Sequence, residues 1–159
     1  MFTEAMGMKP GVLVSLCLIG IGCRYDGRDN GVDLRALEAR CALIPVCPEQ
    51  QGGLPTPRVP AECRGGRVVT RDGGDVTAAF RRGAGQAALL AEQCHVKYAL
   101  LKARSPSCGA REIYDGSFSG RLVPGAGVTA EVLRGMGIEV YDEGQIDELI
   151  CRIDSEERT

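Results

Sequence analysis

Eight of the 159 residues are cysteines, against one histidine and no tryptophan, so thiols are the first place to look for chemistry. Cys17, Cys47 and Cys108 share a context. Each follows an apolar run within a few residues, and each sits among turn-forming Gly or Pro. Cys17 opens a loop holding Gly20, Gly22, Cys23 and Gly27. Cys47 leads into Pro48, Glu49 and Gly52-Gly53. Cys108 lies in Arg104-Ser105-Pro106-Ser107-Cys108-Gly109, where two hydroxyls flank a stiff proline and the thiol precedes a permissive glycine. Three or four thiols brought together could bind a metal. Zinc prefers a closed tetrahedral set from short Cys-x-x-Cys knuckles, and the chain has none. Iron–sulfur clusters also take thiolates, and with three protein ligands one iron stays open. Dithiol redox normally wants a close pair, which is absent.

The elements that would gather these thiols follow from the pattern of apolar residues. Val12-Leu13-Val14-Ser15, Ala42 to Val46, Tyr98 to Leu101 and Gly137 to Tyr141 read as strands, the first apolar on both faces as in a central parallel strand. Helices are predicted over Val32 to Arg40, capped by Asn30, and over Val76 to about Cys94, capped by Asp75, with a bend allowed at Gly83 to Gly85. Two more follow, from Gly127 to about Gly135 and from Gln145 to Ile153. Leu54 to Arg67 reads as an irregular excursion before a short edge strand at Arg67 to Thr70, and Glu112 to Gly120 as a small hairpin. The alternation predicts an α/β fold: one domain over residues 11–159, a mainly parallel sheet flanked by helices in three Rossmann-like layers, after a loose leader over residues 1–10. In such a sheet the carboxyl ends of the strands share one edge, where ligands bind. Cys17, Cys47 and Cys108 fall on that edge and Cys23 could join them. Cys41, Cys63, Cys94 and Cys151 read as filler, and His95 as a helix-terminal residue.

Bulk properties exclude other classes. A formal net charge of −2 and an aromatic content of 4% give no nucleic-acid-binding signal, neither a broad phosphate-binding surface nor a base-stacking platform. The apolar run Gly11 to Ile21 is too short to span a membrane and is interrupted by Ser15, Cys17 and Gly20, which argues against membrane insertion or export. Elements long enough for an ordinary core make eight cytosolic thiols a better reading than four disulfides.

Several multi-residue motifs resemble those of the thiouracil desulfidase family, a bacterial group long treated as a domain of unknown function. They are Ser15-Leu16-Cys17-Leu18 with Cys23-Arg24-Tyr25-Asp26-Gly27, Pro45-Val46-Cys47-Pro48-Glu49 with Gly52-Gly53-Leu54-Pro55-Thr56-Pro57-Arg58, and Leu101 to Gly109. Ile113-Tyr114-Asp115-Gly116-Ser117-Phe118-Ser119-Gly120 and Gly127-Val128-Thr129-Ala130 follow in order. The resemblance runs from about Val12 to Tyr141. It implies a [4Fe-4S] cluster on three cysteines and removal of sulfur from a thiolated uracil as hydrosulfide, with no net redox change. Carried over residue by residue, it implies Cys17, Cys47 and Cys108 as ligands, with Cys23 the rival of Cys17.

On that resemblance the expected partner is a small thiolated pyrimidine and the expected location cytoplasmic. Glu49, two residues beyond Cys47, is the expected proton shuttle; its plainer role is a salt-bridging carboxylate. Ser107 is expected to hydrogen-bond substrate or a cluster sulfide. Ser105 is expected to bind substrate or cap its turn, and Asp26 to orient substrate or close its Asp-Gly turn. The rival reading is a non-catalytic zinc or iron–sulfur module.

Overall fold

The computed structural model of the chain describes residues 9–158, so residues 1–8 of the expected leader lie outside the described residues. β1 (Gly11–Ser15) runs between two parallel neighbours, β2 (Ala42–Val46) and β5 (Tyr98–Leu101), and β8 (Glu139–Asp142) pairs with β5. The sheet order is β2-β1-β5-β8, all parallel. Central position explains the composition of β1 and β5: Val12, Leu13, Val14 and all four residues of β5 are buried. β2 is an edge strand with exposed Pro45, whose missing N–H costs an edge nothing.

Helices cover both faces. Val12, Val14 and Leu100 pack with Leu37 of α1 (Arg35–Glu38) and with Leu149 and Ile153 of α5 (Ile146–Glu157). Leu13, Ala99 and Leu101 pack with Ala87 and Ala91 of α3 (Thr77–Gln93) and with Ala130 and Leu133 of α4 (Val128–Gly135). Each fully buried Leu or Val contributes roughly 1.5–3 kcal/mol, so the two clusters hold the layers together. A short α2 (Pro48–Gln51) follows β2 directly.

Four expectations need correction. The helix placed at Val32 to Arg40 is only the single turn α1, and Asn30 does not cap it. Asn30 Oδ1 instead accepts from Arg24 Nη1 at 3.0 Å. Asp26, Asp29 and Asp33 each capture a backbone N–H two residues on, and such local bonds compete with a helix. The excursion at Leu54 to Arg67 is not wholly irregular. β3 (Ala61–Arg64) pairs antiparallel with β4 (Arg67–Thr70) across Gly65-Gly66, both at positive φ as a tight hairpin turn requires. α3 is continuous through Gly83. A Cβ there would lie 1.8 Å from the Pro48 carbonyl oxygen, so the glycine serves close approach of α2 rather than a bend. Val76, not Asp75, holds the position before α3, although Asp75 Oδ1 does accept the Thr77 N–H at 2.9 Å.

The expected hairpin near Glu112 is β6 (Glu112–Tyr114) with β7 (Leu122–Pro124). Of the four filler cysteines, Cys41 is buried, Cys63 is half-buried on β3, and Cys94 and Cys151 are exposed rather than packed. All eight are free thiols. Among the described residues no helix is long and apolar enough to cross a membrane.

Candidate active site

The carboxyl ends of β1, β2 and β5 open into one cavity of about 540 Å³, and Cys17, Cys23, Cys47 and Cys108 all line it. It lies where the chain, having gone from β1 to β2 on one side, crosses to β5 on the other. Parallel sheets form their ligand crevice at such a switch. Cys17 and Cys47 belong to the core on one face of the sheet and Cys108 to the core on the other, so the site straddles the sheet edge.

Each thiol is held by its own local device. Cys17 sits in a 3-10 turn, Leu16–Ile19, closed by Gly20 at φ +95°, and its carbonyl accepts the Asn30 N–H at 2.9 Å. Cys47 precedes the first residue of α2, Pro48, whose backbone rests on Gly83 of α3. Cys108 is fixed by Ser105, whose Oγ accepts the N–H groups of Ser107 at 3.1 Å and Cys108 at 3.0 Å. The carbonyls of Pro106 and Ser107 in turn accept the Val128 and Thr129 N–H groups at the start of α4.

The thiols differ in how readily they ionise. Hydrogen bonding with Cys23, which has one S–H to share, draws the Cys17 and Cys47 thiols below the usual range. Cys23, bonded to both neighbours, is pushed strongly upward and keeps its proton. Burial raises Cys108 to about 12, partly offset by a hydrogen bond from the Ser15 hydroxyl.

The other expected site residues divide. Glu49 lines the cavity and is also ion-paired: its Oε2 accepts from Arg58 Nη2 at 2.8 Å. Ser105 lines the cavity and caps its turn. Ser107 does not line it. Its buried hydroxyl lies 2.8 Å from the Thr129 Oγ1, so it ties the loop to α4. Asp26 does not line it either. Its carboxylate accepts the Arg28 N–H at 3.0 Å and pairs with Arg24 at 3.2 Å, which closes the turn.

Sequence reasoning missed the roof of the cavity. Tyr114, Phe118, Glu62 and Arg71 line it from the two hairpins. Buried Glu62 accepts the N–H groups of Gly116 and Phe118 through Oε1, at 3.0 and 3.1 Å. That grip holds Phe118 at φ +56°, a conformation a bulky side chain rarely adopts, with the Arg71 guanidinium 5.7 Å above its ring. Ser15 and Lys102 were also missed. The Lys102 N–H donates to Ser15 Oγ at 2.9 Å and its Nζ pairs with Glu143 at 2.7 Å.

The donor set suits a multinuclear cluster. Among the described residues no group of three or more His, Cys, Asp or Glu is arranged to hold a single metal ion. A cluster asks less of its ligands, because each thiolate meets a different iron rather than crowding one centre. One buried side-chain donor, Arg58 Nε, has no acceptor among the described residues.

A four-stranded parallel sheet with thiols and a carboxylate gathered in a cavity at its carboxyl edge defines a thiol-centred α/β enzyme. The chain belongs to the 2-thiouracil desulfurase family, which matches residues 12–145. It is 38% identical over 150 residues to the uncharacterized protein YbbK of Bacillus subtilis (strain 168), covering 87% of this chain and 99% of that one. It also matches the solved structure of the [4Fe-4S]-dependent thiouracil desulfidase TudS, with a TM-score of 0.88 and 46% identity over 92% of this chain and 99% of that one.

Proposed function

We propose that this protein replaces the sulfur of a thiolated uracil by oxygen, consuming water and releasing hydrosulfide and a proton without net redox change. The [4Fe-4S] cluster is held by Cys17, Cys47 and Cys108. The observation that carries this reading is that those three thiols, distant in sequence, line one cavity. Cys17, two residues beyond β1, is taken as the third ligand, with Cys23 on the same loop as its rival. When bound, the cluster supplies a thiophilic Lewis acid toward the substrate sulfur.

The chain's own residues do the rest. Ser105 Oγ already accepts two backbone N–H groups, so its one hydrogen is left to donate to the base. Tyr114 and Phe118 offer the planar ring an apolar roof. Glu49 Oε1, which its ion pair leaves unused, takes the proton of the water attacking the thiocarbonyl carbon. Free thiols and an oxygen-labile cluster fit a cytoplasmic setting.

The test is anaerobic reconstitution followed by incubation with 2-thiouracil and 4-thiouracil. About four irons and four acid-labile sulfides per chain, with stoichiometric hydrosulfide release, are expected. Full cluster loading with no hydrosulfide from either compound refutes the activity, and zinc at one per chain refutes the cluster.

A further inference from the structure

Two carboxylates line the cavity, Glu49 and Glu62, and they are held differently. Glu49 is paired with the Arg58 guanidinium. Glu62, on β3, is 9% exposed and has no cation bound to it among the described residues. Its Oε1 takes both backbone bonds, from Gly116 and Phe118, and its Oε2 accepts nothing from the described residues. Oε2 also keeps some accessible surface, because Arg58 Nε is the one fully enclosed side-chain nitrogen or oxygen left without a partner among them. An ionised carboxylate is an acceptor only, and burying one with half its capacity unmet is costly. A nine-tenths buried carboxylate that keeps an open oxygen at a cavity wall asks for a donor from the occupant of that cavity.

The framework around Glu62 holds it in place. Cys63 Sγ donates to the Pro106 carbonyl at 3.5 Å, in the loop that carries Cys108, and Arg64 Nε donates to the Gly116 carbonyl at 2.9 Å. Glu62 is thus anchored beside the Cys108 loop and to the loop of Phe118 at once. Phe118 lines the same cavity, so the carboxylate that pins its backbone is open to what lies against its ring. The charged side chains that share the lining, Arg24, Arg71, Lys102 and Arg104, are all donors, which suit the exocyclic oxygen of a uracil and not its ring N–H groups. One of those N–H groups, at N3, adjoins the thiocarbonyl carbon in both 2-thiouracil and 4-thiouracil.

We propose that Glu62 is a specificity-determining residue whose Oε2 accepts the N3–H of the thiolated uracil, so that the base is read at its edge while Phe118 covers its face. The inference rests on the desulfidase reading above and deepens it. Substrates are narrowed to thiolated pyrimidines that carry hydrogen at N3, with no such demand at N1. A thiolated cytosine, whose N3 is an acceptor, is refused, because it would leave a buried carboxylate facing a lone pair.

The experiment compares reconstituted wild type, Glu62→Gln and Glu62→Asp on 4-thiouracil and on its 1-methyl and 3-methyl derivatives. It takes kcat and KM from hydrosulfide release, and it follows binding of uracil and 3-methyluracil to the same proteins by calorimetry. In wild type the 3-methyl compound should raise KM about 10- to 100-fold and the 1-methyl compound should change it little. In Glu62→Gln the amide oxygen can keep both backbone bonds, but the amide N–H₂ then meets the ring N–H. KM for 4-thiouracil should rise about 10- to 100-fold, that for the 3-methyl compound should barely move, and the preference should vanish in turnover and in uracil binding alike. Glu62→Asp, a carboxylate withdrawn by one methylene, should lose part of the preference. A Glu62 that only holds the hairpins would weaken all three compounds together, and that outcome overturns the proposal. So does a preference for free N3–H that is missing from wild type or survives in Glu62→Gln. Loss of the fold in both variants, read by thermal melt, makes Glu62 a stability residue and overturns it too. Wild type that binds uracil but releases no hydrosulfide refutes the desulfidase reading separately, and the calorimetric comparison still decides the role of Glu62.

Discussion

The floor of the cavity and its roof put side chains into the same space by different routes. The floor comes from loops directly beyond three parallel strands, and its thiols are placed as soon as those strands pair. The roof comes from two hairpins outside that sheet, β3–β4 and β6–β7, joined to each other by Glu62 and by Arg64 donating to the Gly116 carbonyl. At Gly116 a Cβ would lie 2.6 Å from the Cys63 carbonyl oxygen, so the hairpins meet backbone to backbone. In the proposed reaction the contrast separates chemistry from selectivity: the floor would supply the groups that bind metal and move protons, and the roof those that fit a flat ring. Damage to the floor should therefore remove turnover, and damage to the roof should weaken substrate affinity.

The harshest test of that division is Cys47→Ala. Losing a ligand should abolish cluster retention and cut hydrosulfide release more than about a hundredfold, beyond what changes to residues merely supporting ligands cost. Cys23→Ser, measured beside it by iron analysis, should keep the cluster; if it loses iron while Cys17→Ser does not, the two thiols exchange roles. Next comes Glu49→Gln, expected to retain iron and lower kcat by about 10²- to 10⁴-fold. Unchanged turnover there removes Glu49 from proton transfer.

Gly83→Ala probes the support beneath the floor. Its new methyl would meet the Pro48 carbonyl, and overpacking of this kind costs about 1–3 kcal/mol, read as a lower Tm of the apoprotein. The mildest change is Phe118→Ala. Removing the stacking ring should raise KM about tenfold, consistent with roughly 1–3 kcal/mol per base stacked, and leave kcat and iron content near wild type. A fall in kcat at unchanged KM would place Phe118 with the floor and erase the distinction.

The legibility of the two regions followed the same line. β5 was readable residue for residue because Tyr98-Ala99-Leu100-Leu101 is apolar on both faces and bounded by Lys97 and Lys102. The edge position of Cys17, Cys47 and Cys108 followed from strand polarity alone. Glu49 was legible because it shares a turn of backbone with Cys47. Spacing gives a side chain's neighbourhood and not its direction, so it left Asp26 between substrate and its own turn and did not place Ser107 against Thr129. Ser107 turned to Thr129, and Asp26 to its own turn. Gly65-Gly66 was the one signal that could have revealed the β3–β4 hairpin, and the short, polar strands on either side concealed it.

Alone, the sequence determined the alternation of strands and helices, the carboxyl edge as the place of chemistry, and the thiols that lie there, because hydrophobic periodicity and chain polarity are local properties. Tertiary structure decided which groups share the cavity with them. Glu62 grips a loop far along the chain, Phe118 reaches the cavity that the thiols line, and Arg58 joins Glu49 to the Cys23 carbonyl. These are single hydrogen bonds between residues distant in sequence, and they form only after the two packed faces of the sheet have fixed where each loop emerges.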